Sequence, residues 1–198
     1  MELSEIEFKA MNHPLRRLIQ RGYELPGMRK LGLEPAGRDI LEIGCGSGYA
    51  AQWIAARAPH SYTGIDVMPE QIALAKQRGL EQCTFIQGDA ADLAAWPEGS
   101  FDLVVDFGIL HHVPAWKQAL AESTRVLRPG GLFLAEEPEG AFLRRFERVF
   151  HWGHPEEAAF SLSEFMLELA DGQAVVLKWK RAFGFFWISA RKDANART

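Results

Sequence analysis

The chain has 198 residues, a length that fits one domain, and its 47% apolar residues suffice for a sizeable core. A net charge of −4 without any block of like charge argues against attraction of nucleic acid, and two cysteines are too few for a disulfide scaffold. No apolar run reaches the ~20 residues that span a bilayer, and the N-terminus MELSEIEFKA lacks the apolar core of a signal peptide. We therefore expect a cytoplasmic protein without stable membrane insertion.

The N-terminal segment, residues 1–38, is predicted to be helical. Pro14 can open a helix that continues through LRRLIQRGYEL. Four helix-breaking residues then interrupt the pattern, at Gly27, Gly32, Pro35 and Gly37. The first strand candidate, DILEIG, follows them.

Strand and helix signals alternate from there to residue 137. Further strands are predicted at 61–66, 83–89, 101–108 and 132–137. Helices are predicted between them at 49–57, from Pro69 to Gly79, and from Pro114 until Arg128-Pro-Gly-Gly131 ends the last one. This alternation predicts a parallel sheet covered by helices on both faces, with ligands at the carboxyl ends of its strands.

The last third of the chain has a different pattern. FLRRFERVF predicts an amphipathic helix, HWGHPEE a loop, and SLSEFMLELADG a helix that Ser161 or Ser163 can cap. Two β-rich runs follow, separated by little more than Ala182-Phe183-Gly184, which permits only an antiparallel pair. The tail after Lys192 is expected to be disordered.

The stretch LEIGCGSGYA places Gly44, Gly46 and Gly48 in a turn directly after the first strand. A dinucleotide fingerprint, G-x-G-x-x-G, would need its third glycine at position 49, which is Tyr49. A phosphate-binding Walker loop is excluded because no Gly-Lys-Ser/Thr follows. The turn therefore favours another kind of nucleotide ligand.

Three carboxylates accompany this turn. Glu42 precedes the first glycine by two residues, and Asp66 and Asp89 lie at the tips of the second and third strands. Asp66 suits hydrogen bonds to two ribose hydroxyls, and Asp89 can accept from an exocyclic amine. Acids in these places would repel phosphates, so the predicted ligand is a positively charged nucleoside without phosphate.

Five motifs in order carry a family resemblance: LEIGCGSG, GIDVMPEQIALA, GDA, FDLVVDFGILHHV and RVLRPGGLFLAEE. Together they resemble the class I S-adenosylmethionine-dependent methyltransferases, and most closely the small-molecule branch with the ubiquinone/menaquinone-type enzymes. The resemblance is strong over residues 38–138. It implies an α/β, Rossmann-like, doubly wound and mostly parallel seven-stranded sheet with an antiparallel C-terminal hairpin strand.

The resemblance also implies S-adenosyl-L-methionine as cofactor, S-adenosyl-L-homocysteine as product and an unidentified small molecule as methyl acceptor. Gly44, Cys45 and Gly46 would lie under the methionine part of the cofactor. The cofactor-binding residues that it implies are Glu42, Gly44, Cys45, Gly46, Gly48, Asp66, Val67, Met68, Asp89, Ala90, Phe107 and His112.

Within this single domain, 1–198, we expect four segments. They are a helical N-terminal cap at 1–38, a cofactor-binding core at 38–138, a variable substrate lid at 139–172 and a C-terminal β-hairpin at 173–192. The sequence does not indicate an oligomeric state.

Methyl transfer from a sulfonium depends mainly on positioning, and a base is needed only when the acceptor arrives protonated. His111 and His112, after the fourth strand, are the candidate catalytic residues; the alternative is that they cap or pack in the loop. Tyr23, Phe142 and Trp152 are candidate substrate contacts. The aromatic residues around them suggest an apolar or aromatic methyl acceptor; the alternative is that these aromatic side chains belong to the hydrophobic core. His151 and His154 without a third ligand make a weak metal signal, so we expect no metal and an exposed loop.

The sequence bears on three other functions. Tyr49 and Asp89 argue against an NAD(P)-type oxidoreductase. A non-catalytic, cofactor-binding regulatory protein would keep the same acids and glycines. A DNA-adenine methyltransferase is disfavoured because DFGILHHV lacks a D/N-P-P-Y/F/W motif, so we expect no nucleic-acid partner.

Overall fold

The computed structural model describes residues 12–150 and 153–194. Its centre is a seven-stranded sheet with the strand order β3-β2-β1-β4-β5-β7-β6. The first five strands run parallel, β7 is antiparallel to β5, and β6 is antiparallel to β7. The strands are β1 (Asp39–Ile43), β2 (Ser61–Asp66), β3 (Cys83–Gln87), β4 (Phe101–Asp106), β5 (Leu127–Pro138), β6 (Ala174–Ala182) and β7 (Phe185–Lys192).

Seven α-helices surround the sheet in the described part of the chain. They are α1 (Pro14–Ile19), α2 (Leu25–Leu31), α3 (Tyr49–Ala55), α4 (Pro69–Lys76), α5 (Trp116–Arg125), α6 (Gly140–Phe150) and α7 (Leu162–Asp171). A π-helical segment, Gln20–Glu24, joins α1 to α2, and short 3-10 turns occupy Leu110–His112 and Glu156–Ala158. None of these helices is long and apolar enough to cross a bilayer.

Alternation of side chains along the strands explains why helices cover both faces of the sheet. Leu41 and Ile43 of β1 point to one face, where they share a buried cluster with α5 and α7. Ile40 points to the other face and shares a cluster with α2, α3 and α4. Since both faces bury apolar residues, the sheet is doubly wound, and the predicted fold class is confirmed.

The strand order brings four loops to one edge of the sheet. Ile43, the last residue of β1, pairs with Ile65 of β2 on one side and with Asp106 of β4 on the other. The chain leaves β1 towards β2 and β3, and then returns to place β4 on the opposite side of β1. The carboxyl ends of β1 and β4 therefore flank the point where the strand order reverses, which is where ligands bind in such sheets.

The structure differs from the local predictions in several element bounds, and three differences have a clear physical content. Gly27, expected to interrupt the N-terminal helix, lies inside α2, where an added Cβ would stand 3.1 Å from Trp187 Nε1, so this glycine permits close packing. The α5 helix begins at Trp116 rather than at Pro114. The Arg128-Pro-Gly-Gly131 stretch, expected to end that helix, lies within β5, where the pairing with β4 shifts register.

The helix cap and the hairpin turn in the C-terminal part agree with the sequence-based predictions. Ser161 caps α7 through a capping box with Glu164. The two residues between β6 and β7, Phe183 and Gly184, have φ values of 54° and 81°. Two positive φ values in a two-residue connection are typical of a type I′ hairpin turn, which matches the twist of antiparallel strands.

Candidate functional site

A cavity of about 320 Å³ opens at the carboxyl edge of β1, β2 and β4. Its volume lies in the range of small-ligand pockets. Most of its wall comes from the four loops that follow the first four strands, and the π-helical segment between α1 and α2 adds Gln20. The lining residues are Gln20, Glu42, Gly44, Cys45, Gly46, Ser47, Tyr49, Asp66, Val67, Met68, Gln71, Gly88, Asp89, Ala90, Ala91, Phe107, Gly108, Ile109, His112, Val113, Pro114 and Ala115.

The turn after β1 needs glycine for two different reasons. Gly44 has a φ of 65°, and an added Cβ would stand 2.2 Å from Ile109 Cγ2, so the turn and the loop after β4 touch there. Gly46 has a φ of 50°, and an added Cβ would meet no atom within 4 Å. Because Gly46 also lines the cavity, its backbone is open to close approach by a ligand.

Gly48 has a different role from the one expected. It does not line the cavity, and it stands at the N-cap of α3 with a φ of 76°. An added Cβ would lie 3.2 Å from Ala75 Cβ and 3.3 Å from the Phe85 ring. The structure thus places Gly48 at the packing of α3 against α4 and β3, outside the lining of the cavity.

Asp66 holds the glycine turn in place. Its Oδ2 accepts a hydrogen bond from Gly46 N and its Oδ1 accepts one from Met68 N, both at 2.9 Å. Burial raises the pKa of the Asp66 carboxyl, against the two backbone donors, which lower it. A carboxylate offers about four lone-pair sites, so two backbone bonds leave Asp66 capacity for ligand hydroxyls.

The other two predicted acids differ in exposure. Glu42 is buried, and its Oε2 accepts from Tyr62 Oη at 2.6 Å. Asp89 is exposed, and its Oδ1 accepts from Ala91 N at 2.8 Å, which shapes the turn after β3. All three acids line the cavity, and among the described residues no Lys or Arg side chain does. The lining therefore favours a ligand with positive charge and hydroxyl donors over a phosphate.

The remaining predicted cofactor contacts give the cavity its apolar surfaces. Cys45, Met68, Ala90 and Phe107 are buried and line it, whereas Val67 is 41% exposed at its rim. Burial, and then the charges of nearby carboxylates, raise the pKa of the Cys45 thiol well above its usual range. This thiol is therefore protonated at neutral pH and acts as a small apolar contact.

Sequence reasoning missed two glutamines in the wall. Gln20 is buried at the start of the π-helical segment. No local pattern in QRGYE indicates π-helical winding, so the sequence does not predict that Gln20 reaches the cavity. Gln71 is buried in α4, and its Oε1 has no hydrogen-bond partner among the described residues. A buried acceptor of this kind, beside a cavity, is suited to a donor on the ligand.

The loop after β4 is held by two buried carboxylates that sequence reasoning also missed. Asp106 Oδ1 accepts from Ile109 N at 2.9 Å, and Glu137 Oε1 accepts from Leu110 N at 2.7 Å. Burial raises the pKa of Glu137 to about 7, and burial followed by the Glu137 charge raises the pKa of Asp106 well above its usual range. The sequence does contain a signal for these two residues, because each acid ends a strongly apolar run, LVVD or LAEE.

The two candidate catalytic histidines sit differently on this loop. His112 lines the cavity, and its Nδ1 is buried without a hydrogen-bond partner among the described residues. His111 does not line the cavity, and its Nδ1 lies 2.7 Å from Glu137 Oε2. The expectation of an exposed loop is wrong for His154, whose side chain is 5% exposed and packs on both rings.

The candidate substrate contacts are not brought into the cavity wall. Tyr23 packs edge-to-face on Trp187 at 5.4 Å between ring centroids. Phe142 is 38% exposed and packs against Phe185, beneath the β6–β7 turn. Trp152, like His151, lies outside the described residues.

Comparison with known proteins matches this architecture. Residues 41–135 match the family described as "Methyltransferase domain". A fatty-acid O-methyltransferase of Mycolicibacterium smegmatis is 42% identical over 103 residues, covering 50% of this chain and 36% of that protein. A phthiotriol/phenolphthiotriol dimycocerosates methyltransferase of Mycobacterium tuberculosis is 35% identical over 131 residues, covering 65% of this chain and 47% of that protein.

Similarity to solved structures extends over nearly the whole chain. The crystal structure of a SAM-dependent methyltransferase from Aquifex aeolicus superposes with a TM-score of 0.76 at 18% identity, covering 96% of this chain and 100% of that one. At this identity the likeness shows the fold. The chain spans less than half the length of the two curated relatives above.

Proposed function

We propose that the chain is a class I S-adenosylmethionine-dependent methyltransferase that binds S-adenosylmethionine in the cavity and transfers the methyl group to a small molecule with an apolar body. The observation that supports this most is the composition of the cavity wall. Three carboxylates and an open glycine backbone face it, and no cationic side chain of the described residues does. That donor set fits a cationic nucleoside.

Each proposed cofactor contact follows from the position of the residue in the cavity wall. Asp66 accepts from the ribose hydroxyls, using the lone pairs that Gly46 N and Met68 N leave available. Glu42, fixed by the Tyr62 hydroxyl, offers its negative charge to the ammonium group. Val67 and Met68 pack against the adenine, and Asp89 accepts from its amino group. When bound, S-adenosylmethionine supplies a methyl group on a positively charged sulfur.

The chain's own contribution to the reaction is positioning. Gly44, Cys45, Gly46 and the Phe107 carbonyl hold the methionine part at the switch point of the sheet. Holding two reactants in line supplies ~7–11 kcal/mol of a bimolecular barrier. His112 borders the same space, and it is neutral because burial, followed by the charges of His111 and His154, lowers its pKa to about 2.

The acceptor is inferred from the wall beside β4 and from the named activities of the relatives. Ile109, Val113, Pro114 and Ala115 give that side an apolar surface. The two curated relatives are named for a fatty acid and for phthiotriol or phenolphthiotriol dimycocerosates. An acceptor with a long apolar body and a hydroxyl or carboxyl oxygen fits both observations.

The segment proposed as a substrate lid, 139–172, divides into two parts. Phe165 and Leu169 of α7 are completely buried against the sheet, so α7 contributes to the core. His154, in the connection that follows α6, packs against His111 and His112 of the loop after β4. We therefore assign acceptor selection to this first part, together with the N-terminal residues around Gln20.

Calorimetric titration of the purified chain with S-adenosylmethionine and with S-adenosylhomocysteine tests cofactor binding. Asp66→Ala is expected to weaken binding at least ~10-fold, because two hydrogen bonds to a charged acceptor are lost. Asp92→Ala is the control: the Asp92 carboxylate, like that of Asp66, accepts from a backbone N–H, here that of Ala94, but Asp92 is exposed and does not line the cavity. Unchanged affinity in Asp66→Ala, or binding of NAD in place of both ligands, would contradict the assignment.

Methyl transfer itself is tested separately with isotopically labelled S-adenosylmethionine and a panel of long-chain fatty acids, hydroxylated lipids and phenols, with products identified by mass spectrometry. We expect a labelled methyl ester or ether on at least one lipid-like acceptor. Tight cofactor binding with no labelled product across the panel would favour a non-catalytic, cofactor-binding role.

A further inference from the structure

Three histidines from two separate loops meet beside the cavity. His111 and His112 lie in the 3-10 turn after β4, and His154 lies in the connection between α6 and α7. Their ring centroids are 4.0, 5.2 and 4.7 Å apart, and one nitrogen from each ring lies within 4.8 Å of the other two. A contact between residues some 40 positions apart in sequence is a tertiary feature, and the cofactor contacts proposed above do not use it.

Carboxylates orient two of the three rings. His111 Nδ1 lies 2.7 Å from Oε2 of the fully buried Glu137. His154 Nδ1 is bound in the same way by Oε1 of Glu147, whose carboxylate also accepts from Gly153 N. A carboxylate on Nδ1 fixes the tautomer and makes Nε2 the more basic nitrogen, and this arrangement accompanies most histidines that bind metals.

We propose that His111, His112 and His154 form a binding site for a divalent transition metal of the zinc type, beside the cavity that His112 lines. Three imidazoles are the protein ligands of one class of open zinc site, in which a fourth position is left for a water or a substrate oxygen. The ligand set is all nitrogen, which selects zinc, cobalt or nickel over magnesium or calcium.

The distances fit a site that closes on the ion. With Zn–N bonds of 2.0–2.1 Å in a tetrahedral arrangement, the ligand nitrogens lie about 3.3 Å from one another. In the structure the ligand nitrogens lie within 4.8 Å of one another, so the rings must approach one another by about 1.5 Å or less to bind the ion. His154 follows Gly153, which is exposed and where an added Cβ would meet no atom within 4 Å, so the chain next to His154 is not tightly packed on that side.

The third ring offers a nitrogen that no described group uses. His112 Nδ1 is buried and has no hydrogen-bond partner among the described residues. A buried polar atom in this state, beside a cavity, is suited to a group from outside the protein, and an imidazole nitrogen is a ligand that zinc prefers.

The location gives the ion access to the acceptor side of the cavity. His112 lines the cavity next to the apolar wall of Val113 and Pro114. A metal held by the three rings would thus present its open position to an oxygen of a bound molecule. This last step rests on the proposed function, whereas metal binding by the three histidines does not.

The test uses the full chain, stripped with a chelator and returned to metal-free buffer. ZnCl₂ is titrated against the protein in competition with a chromophoric zinc indicator, and CoCl₂ is titrated while the visible d–d absorption is recorded. We expect one ion per chain and, for Co²⁺, the intense bands of a four- or five-coordinate site. Absence of binding by the wild-type chain to either ion overturns the proposal.

Variants locate the ion. His154→Ala is expected to weaken zinc binding at least ~100-fold, and Glu147→Gln, which keeps His154 but weakens its orientation, by ~10–100-fold. His60→Ala is the matched control, since His60 is an exposed histidine beside Asp39 at the other end of β1. Equal binding by wild type and His154→Ala, or equal losses in His154→Ala and His60→Ala, overturns the proposal and marks the rings as a packing cluster.

Cofactor titration of the same proteins separates this proposal from the proposed function. His154 does not line the cavity, so His154→Ala should bind S-adenosylmethionine as tightly as the wild-type chain while losing zinc. Should His154→Ala prove unstable, Glu147→Gln carries the test alone. A wild-type chain that binds zinc but not S-adenosylmethionine would leave the metal site standing and the proposed function contradicted.

Discussion

The sheet has two halves with different chemistry at their ends. In the cavity half, β1–β4 with their loops, carboxylates and backbone groups of the glycine turn are turned towards an open space. In the aromatic half, β5–β7 with α6 and α7, large rings such as Phe133, Phe165, Phe186 and Trp187 are completely buried. The first half places polar groups where a ligand can form hydrogen bonds with them, and the second half buries apolar surface.

This difference separates binding from stability within one small domain. Burial of an aromatic side chain contributes several kcal/mol, so the aromatic half supplies a large part of the free energy of folding. The cavity half carries features that cost free energy, including a buried Glu42 and a Gln71 acceptor without a partner among the described residues. Substitutions in the two halves should therefore change different quantities.

The largest effect is expected in the aromatic half, from Phe165→Ala. Phe165 is completely buried, with the Phe160 and Phe186 rings both 5.3 Å away between centroids. We expect the free energy of unfolding to fall by about 3–5 kcal/mol, measured by chemical denaturation. The affinity of the folded variant for S-adenosylmethionine should stay unchanged, because Phe165 does not line the cavity.

Phe142→Ala is the matched control for that substitution. Phe142 lies in the same predicted lid but is 38% exposed, so removing its ring should cost clearly less. A loss at Phe142 as large as that at Phe165 would contradict the division of the segment into a core helix and an acceptor-side part. A loss of cofactor affinity in Phe165→Ala would contradict the separation of the two halves.

Local patterns in the sequence sufficed to predict most of the fold. Strand β2 begins and ends where the SYTGID pattern predicts, and Ser161 caps α7, because hydrophobic periodicity and capping are properties of neighbouring residues. The glycine turn was placed correctly for the same reason. The individual role of Gly48 depends on what packs against it, Ala75 and Phe85, which are distant in sequence.

The features that could not be predicted depend on long-range contacts. Phe142 and Phe165 both stand at helical spacing among other aromatics, and only the docking of α7 on the sheet distinguishes the exposed ring from the buried one. His154 was expected in an exposed loop, since nothing in HWGHPEE indicates that the loop folds against His111 and His112. The buried pair Asp106 and Glu137 requires knowing that β4 and β5 are neighbours.

The next effect belongs to the cavity half and concerns its two cysteines. Burial, and then the Glu42 charge, raise the pKa of Cys83 to about 11, and burial raises that of Cys45 well above its usual range. Because a raised thiol pKa keeps the thiol protonated at pH 8, the reactive thiolate of Cys83 should be about 100-fold scarcer than in a cysteine of ordinary pKa. Alkylation by iodoacetamide should be correspondingly slow and should accelerate as the pH approaches 11.

Mass spectrometry of the two cysteine-containing peptides measures both rates separately. Saturating S-adenosylmethionine should slow Cys45 further and leave Cys83 unaffected, since Cys45 lines the cavity and Cys83 does not. If Cys45 reacts at pH 8 as fast as a free cysteine, the cavity half is more accessible to water than the structure shows, and the prediction is contradicted.

The smallest effect, and the one of opposite sign, is expected at the hairpin turn of the aromatic half. Phe183 is 86% exposed and has a φ of 54°, a left-handed conformation that costs a residue with a branched or bulky side chain about 1 kcal/mol. Asn tolerates this conformation, and Asn-Gly is a preferred pair for a type I′ turn. Phe183→Asn should therefore raise the free energy of unfolding by up to about 1 kcal/mol, read from denaturant unfolding. Phe183→Ala removes the same exposed ring without easing the backbone, so an Asn variant no more stable than the Ala variant would show that the turn stores no such strain.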